Sequence, residues 1–477
     1  MSVPVYRWAL DVRLLKLVDR KDGVAARYTK ADRSIDLTPF LGDGGAVSTT
    51  KTLRGEPSGA FSVSFGDQIE PSVRDTVYAL VEPMDMIEIR ASREPHKYAG
   101  KDLPLIMRGF VSSVRRSRNI SDDTPQRGVV ISGHDFGKLW MIHQVWQELA
   151  TVTEQPVLTV FGLQAALGIK VAVMDIEEFM AEFVNKVMNP KIAKMAAFAN
   201  RQIKPFVLET SVKEGRLIPN VISSMAQGPY WNIIAAVSDA PWNELFVRDE
   251  EDGPHLVFRP APFKGLDGKL ILQDAKDPGT VFVPDVQIVQ SDESRTDSRI
   301  ANFFWTPPGT SSLDTNQYAT AGALIDGSAL DFKHPNNAPE LYGEKKMEAG
   351  TSLIPDDSKG QTGTQAIGDR PAEATRYVQW YRHRADQLQA MNRDNGVLED
   401  GSLAVMGRED YVIGKYVRIT EGDLDREAYV ISVSHTLAPL GSWDTTLQVE
   451  RGTGFLERNK AQGSPYYAEG RKGPYSK

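Results

Sequence analysis

Three short runs near the C-terminus alternate apolar and polar residues with a period of two. They cover residues 416–420, 429–437 and 446–450. Such alternation is typical of strands that bury one face and expose the other. The connections 421–425 and 439–442 are rich in Gly, Asp, Pro and Ser, which favour hairpin turns. The stretch therefore predicts a three-stranded antiparallel meander.

The same order of patterns occurs about 330 residues earlier in the chain. The corresponding runs are residues 86–90, 106–117 and 127–136. The match lies in pattern and order, not in identity. A repeat on this scale indicates two copies of one structural module. We therefore predict a β-rich α+β multidomain protein with two barrel-like antiparallel β modules, a helical insertion and long loop excursions.

Breaks in these patterns predict five segments. They are a first β module at 1–148, a mainly helical insertion at 149–238, a second β module formed by 239–305 and 396–457, a Pro/Gly/Ser-rich excursion followed by a helix at 306–395, and a basic tail with tyrosines at 458–477. The insertion and the excursion have no counterpart in the repeat.

The apolar residues of the insertion recur at helical intervals. Residues 175–188 predict one amphipathic helix, which Pro190 is expected to stop or kink. Phe179, Phe183 and Met188 lie on its apolar face. Phe and Met are enriched at protein interfaces, so this face is a candidate partner surface. The alternative is burial within its own domain.

The basic tail contains Tyr466, Tyr467 and Tyr475 among Gly and Pro residues. Tyrosines are unusual in solvated tails, which favours docking onto a neighbouring chain over plain disorder. These three residues complete the set of candidate interface residues.

Composition excludes several classes of function. The chain has no cysteine, which excludes disulfides, thiol nucleophiles and thiolate metal ligands. Its formal net charge of −8 disfavours tight binding of nucleic-acid phosphates. No window approaches eighteen consecutive apolar residues, and the first residues lack an uninterrupted apolar run. We therefore expect neither a membrane span nor a signal peptide.

The sequence signatures of catalysis are absent. There is no HExxH, GxSxG, GxxxxGK[ST] or EF-hand pattern, and no GxGxxG after a predicted strand. We therefore expect no catalytic, cofactor-binding or metal-binding residues. His134 and His143 are nine residues apart with a tryptophan between them. A zinc or catalytic pair is possible in principle, but ordinary residues at a strand end are favoured.

Two charged runs have competing interpretations. The acidic run 249–252 is either a cation site or, as we favour, a solvated hairpin tip. Arg115, Arg116 and Arg118 either contact phosphate or an acidic partner, or form a solvated face of a hairpin. The second interpretation is favoured for the arginines as well.

Three segments resemble bacteriophage tail proteins of the baseplate-hub type, a family related to the hub part of secretion-system spike proteins. They are PWNELFVRDEEDGPHLVFRPAPF at 241–263, SRIAN at 298–302 and YVISVSHTLAPLGSWDTTLQVERG at 429–452. The similarity covers about residues 240–305 and 375–455, and the N-terminal module more loosely.

The resemblance implies a homotrimeric structural hub without enzyme activity. Each subunit would supply two tube-like modules, so that three chains match a sixfold tail tube and a threefold central spike. Other baseplate proteins would bind its remaining surfaces, and DNA would pass through a channel without specific binding, which suits an acidic chain. The expected location is the baseplate of the virion tail, assembled in the host cytoplasm. The alternative function is a tail-associated cell-wall or polysaccharide hydrolase or binding module, which requires a close carboxylate pair in a cleft.

Overall fold

The computed structural model describes residues 7–17, 34–42, 44–70, 75–121, 124–145, 174–199, 202–217, 228–307, 334–355, 370–421 and 424–460. Strands dominate this part of the chain.

The N-terminal part is built almost entirely of strands. They are β1 (Ala9–Leu15), β2 (Ser34–Asp36), β3 (Ala46–Thr52), β4 (Ala60–Gly66), β5 (Ile69–Glu70), β6 (Asp75–Thr76), β7 (Met86–Ser92), β8 (Leu105–Ser121) and β9 (Thr124–Asp135). Short helices at Thr38–Leu41 and Val77–Leu80 and a 3-10 helix at Pro95–Tyr98 lie in the connections. The three strands predicted between residues 86 and 136 are confirmed as β7, β8 and β9.

The middle of the chain combines helices with short strands. The strands are β10 (Gln144–Val145), β11 (Met174–Asp175), β12 (Val207–Thr210), β13 (Arg216–Leu217), β14 (Gly228–Pro229), β15 (Asn243–Glu250) and β16 (Gly253–Pro260). The helices are Lys138–Ile142, Ile176–Glu182, Asn189–Ala199 and Tyr230–Val237, and a π-helical turn covers Phe183–Met188. The predicted hairpin around the acidic run is confirmed as β15 and β16, which pair antiparallel.

Of the two effects expected of Pro190, a stop or a kink, the stop does not occur. The chain remains helical from residue 176 to residue 199. Proline removes one backbone donor and collides with the preceding turn of a regular helix. Here the wider π-helical turn Phe183–Met188 comes directly before Pro190, and such turns are where helices absorb local distortion.

The C-terminal part returns to strands. They are β17 (Thr280–Pro284), β18 (Ile288–Ser294), β19 (Phe303–Trp305), β20 (Lys346–Glu348), β21 (Glu399–Met406), β22 (Tyr416–Glu421), β23 (Leu424–Leu437) and β24 (Trp443–Gly452). Helices lie at Pro339–Tyr342, Arg370–Asn392 and Gly454–Lys460, with 3-10 helices at Asp285–Gln287 and Pro335–Asn337. The predicted meander is confirmed as β22, β23 and β24.

The predicted excursion is partly structured. Residues 334–355 contain short helices and β20, which pairs parallel with β19. Residues 308–333 and 356–369 of the excursion lie outside the described part of the chain. The helix predicted to follow the excursion is confirmed at Arg370–Asn392.

A single sheet of thirteen strands organises the described fold. Its main path is β18-β21-β24-β23-β3-β4-β9-β8-β7-β1-β2, and β22 and β17 continue from β23 beside this path. We call β1–β4 with β7–β9 the first sheet half, and β17, β18 and β21–β24 the second sheet half. The two halves meet where β23 pairs with β3.

The two halves repeat one strand arrangement. The orders β3-β4-β9-β8-β7 and β18-β21-β24-β23-β22 correspond strand for strand, and all of these pairs are antiparallel. Both long strands also shift register at the same place. Phe110 and Tyr429 are the last residues that pair with the preceding strand, and the shift follows at Ser112 and at Ile431. The predicted repeat is therefore present in the pairing as well as in the sequence pattern.

The barrel detail of the prediction is not found. The described pairings form an open, branched sheet and do not close either half into a barrel. The strands that follow β7 and β22 also differ between the halves. β1 lies antiparallel to β7, whereas β17 lies parallel to β22. A parallel and an antiparallel neighbour require different connections, so the repeat ends at this strand.

Three hydrophobic cores hold the sheet and the helices together. One lies in the first sheet half, one joins the second half to the β15–β16 hairpin, and one packs the helices against the first half and the hairpin. At the junction, each half contributes side chains to the core of the other. Leu437 and Trp443 of the second half lie in the core of the first half, and Leu53, which follows β3, lies in the core of the second. Burying each such side chain contributes roughly 1.5–3 kcal/mol, so the exchange fixes the halves to each other.

Candidate functional site: the seam between the sheet halves

The seam is the antiparallel pairing of residues 432–437 of β23 with residues 47–52 of β3. The same edge of β23 pairs with β22 through residues 424–429, so β22 and β3 lie end to end along one strand. A backbone bond from Leu53 N to Ile431 O of 2.8 Å closes the gap between them. The Thr50 and Ser434 hydroxyl oxygens meet across the seam at 2.9 Å. The seam thus continues one sheet through both copies of the repeat.

His435 is buried at the seam. Its Nδ1 lies 2.8 Å from Thr445 Oγ1 and accepts a hydrogen bond of 3.3 Å from Trp443 Nε1. Because Nδ1 is an acceptor, the proton of the neutral ring resides on Nε2. Burial lowers the pKa of His435 to about 4, since a charged imidazolium would lose its hydration there.

A lysine and two aspartates meet beside the seam. Lys51 of β3 forms an ion pair with the fully buried Asp135 at the end of β9. Asp249 of the hairpin lies close enough for Asp135 to act on its charge. Burial first, and then repulsion from Asp135, raise the pKa of Asp249 to about 7, although Lys51 opposes the shift. Sequence reasoning missed this group because its members lie far apart in the chain.

The acidic hairpin tip is docked and not merely solvated. Arg90 of β7 donates to both carboxylate oxygens of Glu251, at 2.8 and 3.0 Å. The Leu105 N–H also donates to Glu251, at 3.1 Å. Burial opposes ionisation of Glu251, but the Arg90 hydrogen bonds and charge lower its pKa. Both Glu251 and Asp252 remain mostly exposed, as expected of a solvated tip, and Asp252 lies 2.9 Å from His255 in a hydrogen bond.

A buried polar network ties the hairpin to the second sheet half. Tyr429 of β23 donates to Glu244 of β15 at 2.7 Å. Arg259 of β16 donates to the Glu244 carboxylate at 3.1 Å and to the Tyr429 hydroxyl oxygen at 3.0 Å. Burial raises the pKa of Glu244 in spite of the Arg259 charge. This network is structural, because its donors and acceptors satisfy one another.

A cleft of about 470 Å³ opens beside the seam. Its volume lies within the range of ligand pockets. Arg54 donates to both carboxylate oxygens of Glu450 on its wall, at 2.8 and 2.5 Å. Asp400 on the same wall forms an ion pair with Arg299. Each of these carboxylates is thus engaged by an arginine, whereas glycoside hydrolysis needs two carboxyl groups that face a shared substrate.

The Asp135 and Asp249 pair does not form a sugar site either. The cavity that Asp249 lines together with Lys51 and His435 has a volume of about 70 Å³. Pockets for small organic ligands occupy roughly 300–1,000 Å³. Neither of these two arrangements therefore favours the hydrolase alternative.

The structure places the predicted helical interface residues inside the chain. Phe179, Phe183 and Met188 are each at most 1% exposed. The Phe183 ring stacks on Trp140 with centroids 6.0 Å apart and lies 5.8 Å from Phe179. These contacts correspond to the alternative interpretation of that face, burial in its own domain. Tyr466, Tyr467 and Tyr475 lie outside the described residues.

The remaining candidates occupy separate positions. His134 lies in β9, whereas the His143 ring stacks on Tyr230 with centroids 6.0 Å apart. No cluster of three His, Asp or Glu residues suited to a metal occurs in the described ranges. Arg115, Arg116 and Arg118 are exposed on β8. In the part of the chain that the structure covers, no helix has both the length and the apolar character to cross a membrane.

Comparisons with known proteins return tail and baseplate structures. No family model matches the chain, and no curated protein matches it. It is similar to the tail protein from Neisseria meningitidis MC58, with a TM-score of 0.46 and 11% identity over 93% of this chain and 97% of that chain. It is similar to the 43 kDa tail protein of prophage MuSo2 from Shewanella oneidensis, with a TM-score of 0.42 and 10% identity over 92% of this chain and 96% of that chain.

A third likeness is to the E. coli c3393 protein, a component of the type VI secretion system with structural similarity to the T4 tail proteins gp27 and gp5. Its TM-score is 0.37 and its identity 7%, over 85% of this chain and 72% of that chain.

Proposed function

We propose that the chain is a structural protein of a phage tail baseplate, a homotrimeric hub that joins the sixfold tail tube to a threefold central spike. The observation that supports this most directly is the repeat of one strand order in both sheet halves. Three chains with two such halves each present six similar units to a sixfold partner. Closed symmetric rings of identical chains are the usual form of such assemblies.

The function resides in interfaces and not in a reaction. The partners are further copies of this chain, the tail tube protein, the central spike protein and other baseplate proteins. DNA passes through the ring without specific binding, and the net charge of −8 suits this role because a basic wall would retain the polymer. The proposed location is the virion tail baseplate, assembled in the host cytoplasm.

Light scattering after size exclusion tests the oligomeric state. We expect a mass of about three times the chain mass of 52.8 kDa over a wide range of protein concentrations. A mass equal to one chain at every concentration, together with no binding to tube protein, contradicts the proposal.

Co-sedimentation with polymerised tail tube tests the adaptor role. We expect the hub to sediment with tubes of its own phage and to appear at one end of each tube in negative-stain images. Tubes from an unrelated phage provide the matched control. Decoration along the whole tube wall, or equal sedimentation with both tubes, argues against a terminal adaptor.

A further inference from the structure

Among the strand edges that have no strand partner within the described residues, two correspond through the repeat to the two edges that meet in the seam. One is the outer edge of β18, which pairs only with β21. The other is the edge of β8 along residues 113–118, beyond the part that pairs with β7. Unpaired edges expose rows of backbone donors and acceptors, which makes them templates for another strand.

The repeat makes these two edges the counterparts of the seam. Residues 113–118 of β8 correspond to residues 432–437 of β23, because both segments follow the register shift of the long strand. β18 corresponds to β3, since each is the next strand after the pair β21–β24 or β4–β9. Within the chain, the β23 segment pairs with β3. Among the described residues, no strand takes this place beside the equivalent segment of β8.

We propose that β18 of one copy pairs antiparallel with residues 113–118 of β8 in a neighbouring copy of this chain, as β3 pairs with β23 inside one chain. The inference rests on the proposed trimeric function and adds the contact between copies that closes the ring. Two different edges meet, so the contact is heterologous and generates a ring when the rotation closes. Three seams within chains would then alternate with three seams between chains.

The register of the contact follows from the repeat. The observed pairs Ser434–Thr50, His435–Thr49, Thr436–Ser48 and Leu437–Val47 transfer to Arg115–Ser294, Arg116–Glu293, Ser117–Asp292 and Arg118–Ser291. In this register, an arginine-rich strand lies against an acidic one.

The charges of the two edges are complementary in this register. Glu293 lies opposite Arg116 and diagonal to Arg118, and Asp292 lies diagonal to Arg115. Both directly opposed and diagonal side chains interact across strands. All three arginines and Asp292 are exposed in the single chain. The arginines were expected to contact an acidic partner or to remain solvated, and this contact assigns them the first role.

Some of these charges already have partners in the chain. Arg116 forms an ion pair of 2.6 Å with Asp67, and Glu293 forms one with Arg426. Arg115 and Asp292 form no ion pair among the described residues. They are therefore the appropriate positions for charge reversal, since a change there does not break an internal contact.

Cysteine cross-linking tests the register. The chain has no native cysteine, so S117C/D292C introduces one directly opposed pair between copies. Opposed residues place their Cβ atoms about 4.5–5.5 Å apart, and closer in the pairs that do not exchange backbone hydrogen bonds. A disulfide needs about 3.5–4.5 Å. We expect covalent dimers and trimers after mild oxidation. The control S117C/S291C turns the second cysteine to the opposite face and should cross-link far less.

Charge reversal tests the complementarity. R115E and D292R should each weaken association by about tenfold, and the double variant R115E/D292R should restore it. D274R and K276E change the same charges at exposed positions away from both edges and should leave association unchanged.

The outcomes separate this inference from the proposed function. A trimer in which S117C/D292C cross-links no better than S117C/S291C overturns the strand pairing and leaves the trimeric hub intact. A trimer that R115E and D292R do not weaken, or that the double variant does not restore, overturns the charge assignment. A wild-type chain that is monomeric at every concentration contradicts both proposals.

Discussion

Replacement of Asp249 by asparagine should stabilise the protein at alkaline pH and destabilise it by about 1–2 kcal/mol at acidic pH, where the buried carboxyl is already neutral. The Asp249 Oδ1 atom is buried without a hydrogen-bond partner, and Oδ2 accepts only a long bond of 3.5 Å from the Arg108 N–H. Burial and the nearby Asp135 raise the pKa of Asp249 from 3.8 to about 7. The folded state therefore holds this proton more tightly than the unfolded state.

The sign and size follow from proton linkage. A raised carboxyl pKa contributes stability that is fully present below pH 3.8 and is lost as the pH rises to about 7. The loss is at most about 4 kcal/mol, at 1.36 kcal/mol for each unit of pKa difference. The asparagine amide also needs partners at this site, which costs about 1–2 kcal/mol. We therefore expect D249N to be about 2–3 kcal/mol more stable than wild type at pH 8.

Urea unfolding at a series of pH values from 4 to 8 measures this difference. Wild type and variant are compared at one protein concentration, because assembly adds to apparent stability. The control D252N changes a neighbouring carboxylate at the exposed hairpin tip, and its effect should stay within about 0.5 kcal/mol. A D249N difference that is the same at pH 4 and pH 8 refutes the assigned burial and repulsion.

Three further changes probe the seam, the hairpin and the helical core. Wild type should lose stability as the pH falls from 6.5 to about 4, because the unfolded chain takes up a proton on His435 that the folded state, with its lowered pKa, does not. H435N should remove this loss, and thermal unfolding at pH 7.5 and pH 4.5 measures it. E244A should lower the unfolding free energy by about 3–5 kcal/mol in denaturant titrations, because Arg259 stays buried without its carboxylate, whereas Y429F removes one hydroxyl and should cost about 1 kcal/mol. F183A should lower the unfolding free energy by about 3–5 kcal/mol in the same assay, because the Phe183 ring is fully buried. For the same reason, the mass of the folded protein in light scattering should stay unchanged.

The sequence predicted those parts of the fold in which neighbouring residues carry the signal. The two meanders, the hairpin β15–β16 and the helix Arg370–Asn392 all depend on local periodicity and turn residues. The polar strand β3 gave a weaker pattern, although its Val and Thr residues are β-branched and favour strands. β21 was missed as well, with Gly, Ser and Asp in its first half.

The seam and the polar groups around it could not be predicted from the same patterns. Alternation shows which face of a strand is buried but not which strand lies beside it. Residues of β3 and β23 pair although they lie about 380 positions apart in the sequence, as Val433 and Lys51 do. The same limit explains why Phe179 and Phe183 were interpretable as a partner surface. An apolar helix face requires cover, and only the fold shows that Trp140 and its neighbours provide it.

The proposed seam between copies would differ in charge from the seam inside the chain, and the reason follows from when each one would form. The seam inside the chain buries Leu437, Val47 and His435, because it forms during folding and is never exposed on a finished subunit. At the corresponding positions of the proposed seam between copies stand Arg118, Ser291 and Arg116, which must remain in water until a second copy arrives. Charged side chains on an edge strand prevent indiscriminate pairing, and opposite charges on the two edges favour the one productive register. The proposed seam between copies would therefore differ from the seam inside the chain mainly in the opposite charges that its two edges expose before they pair.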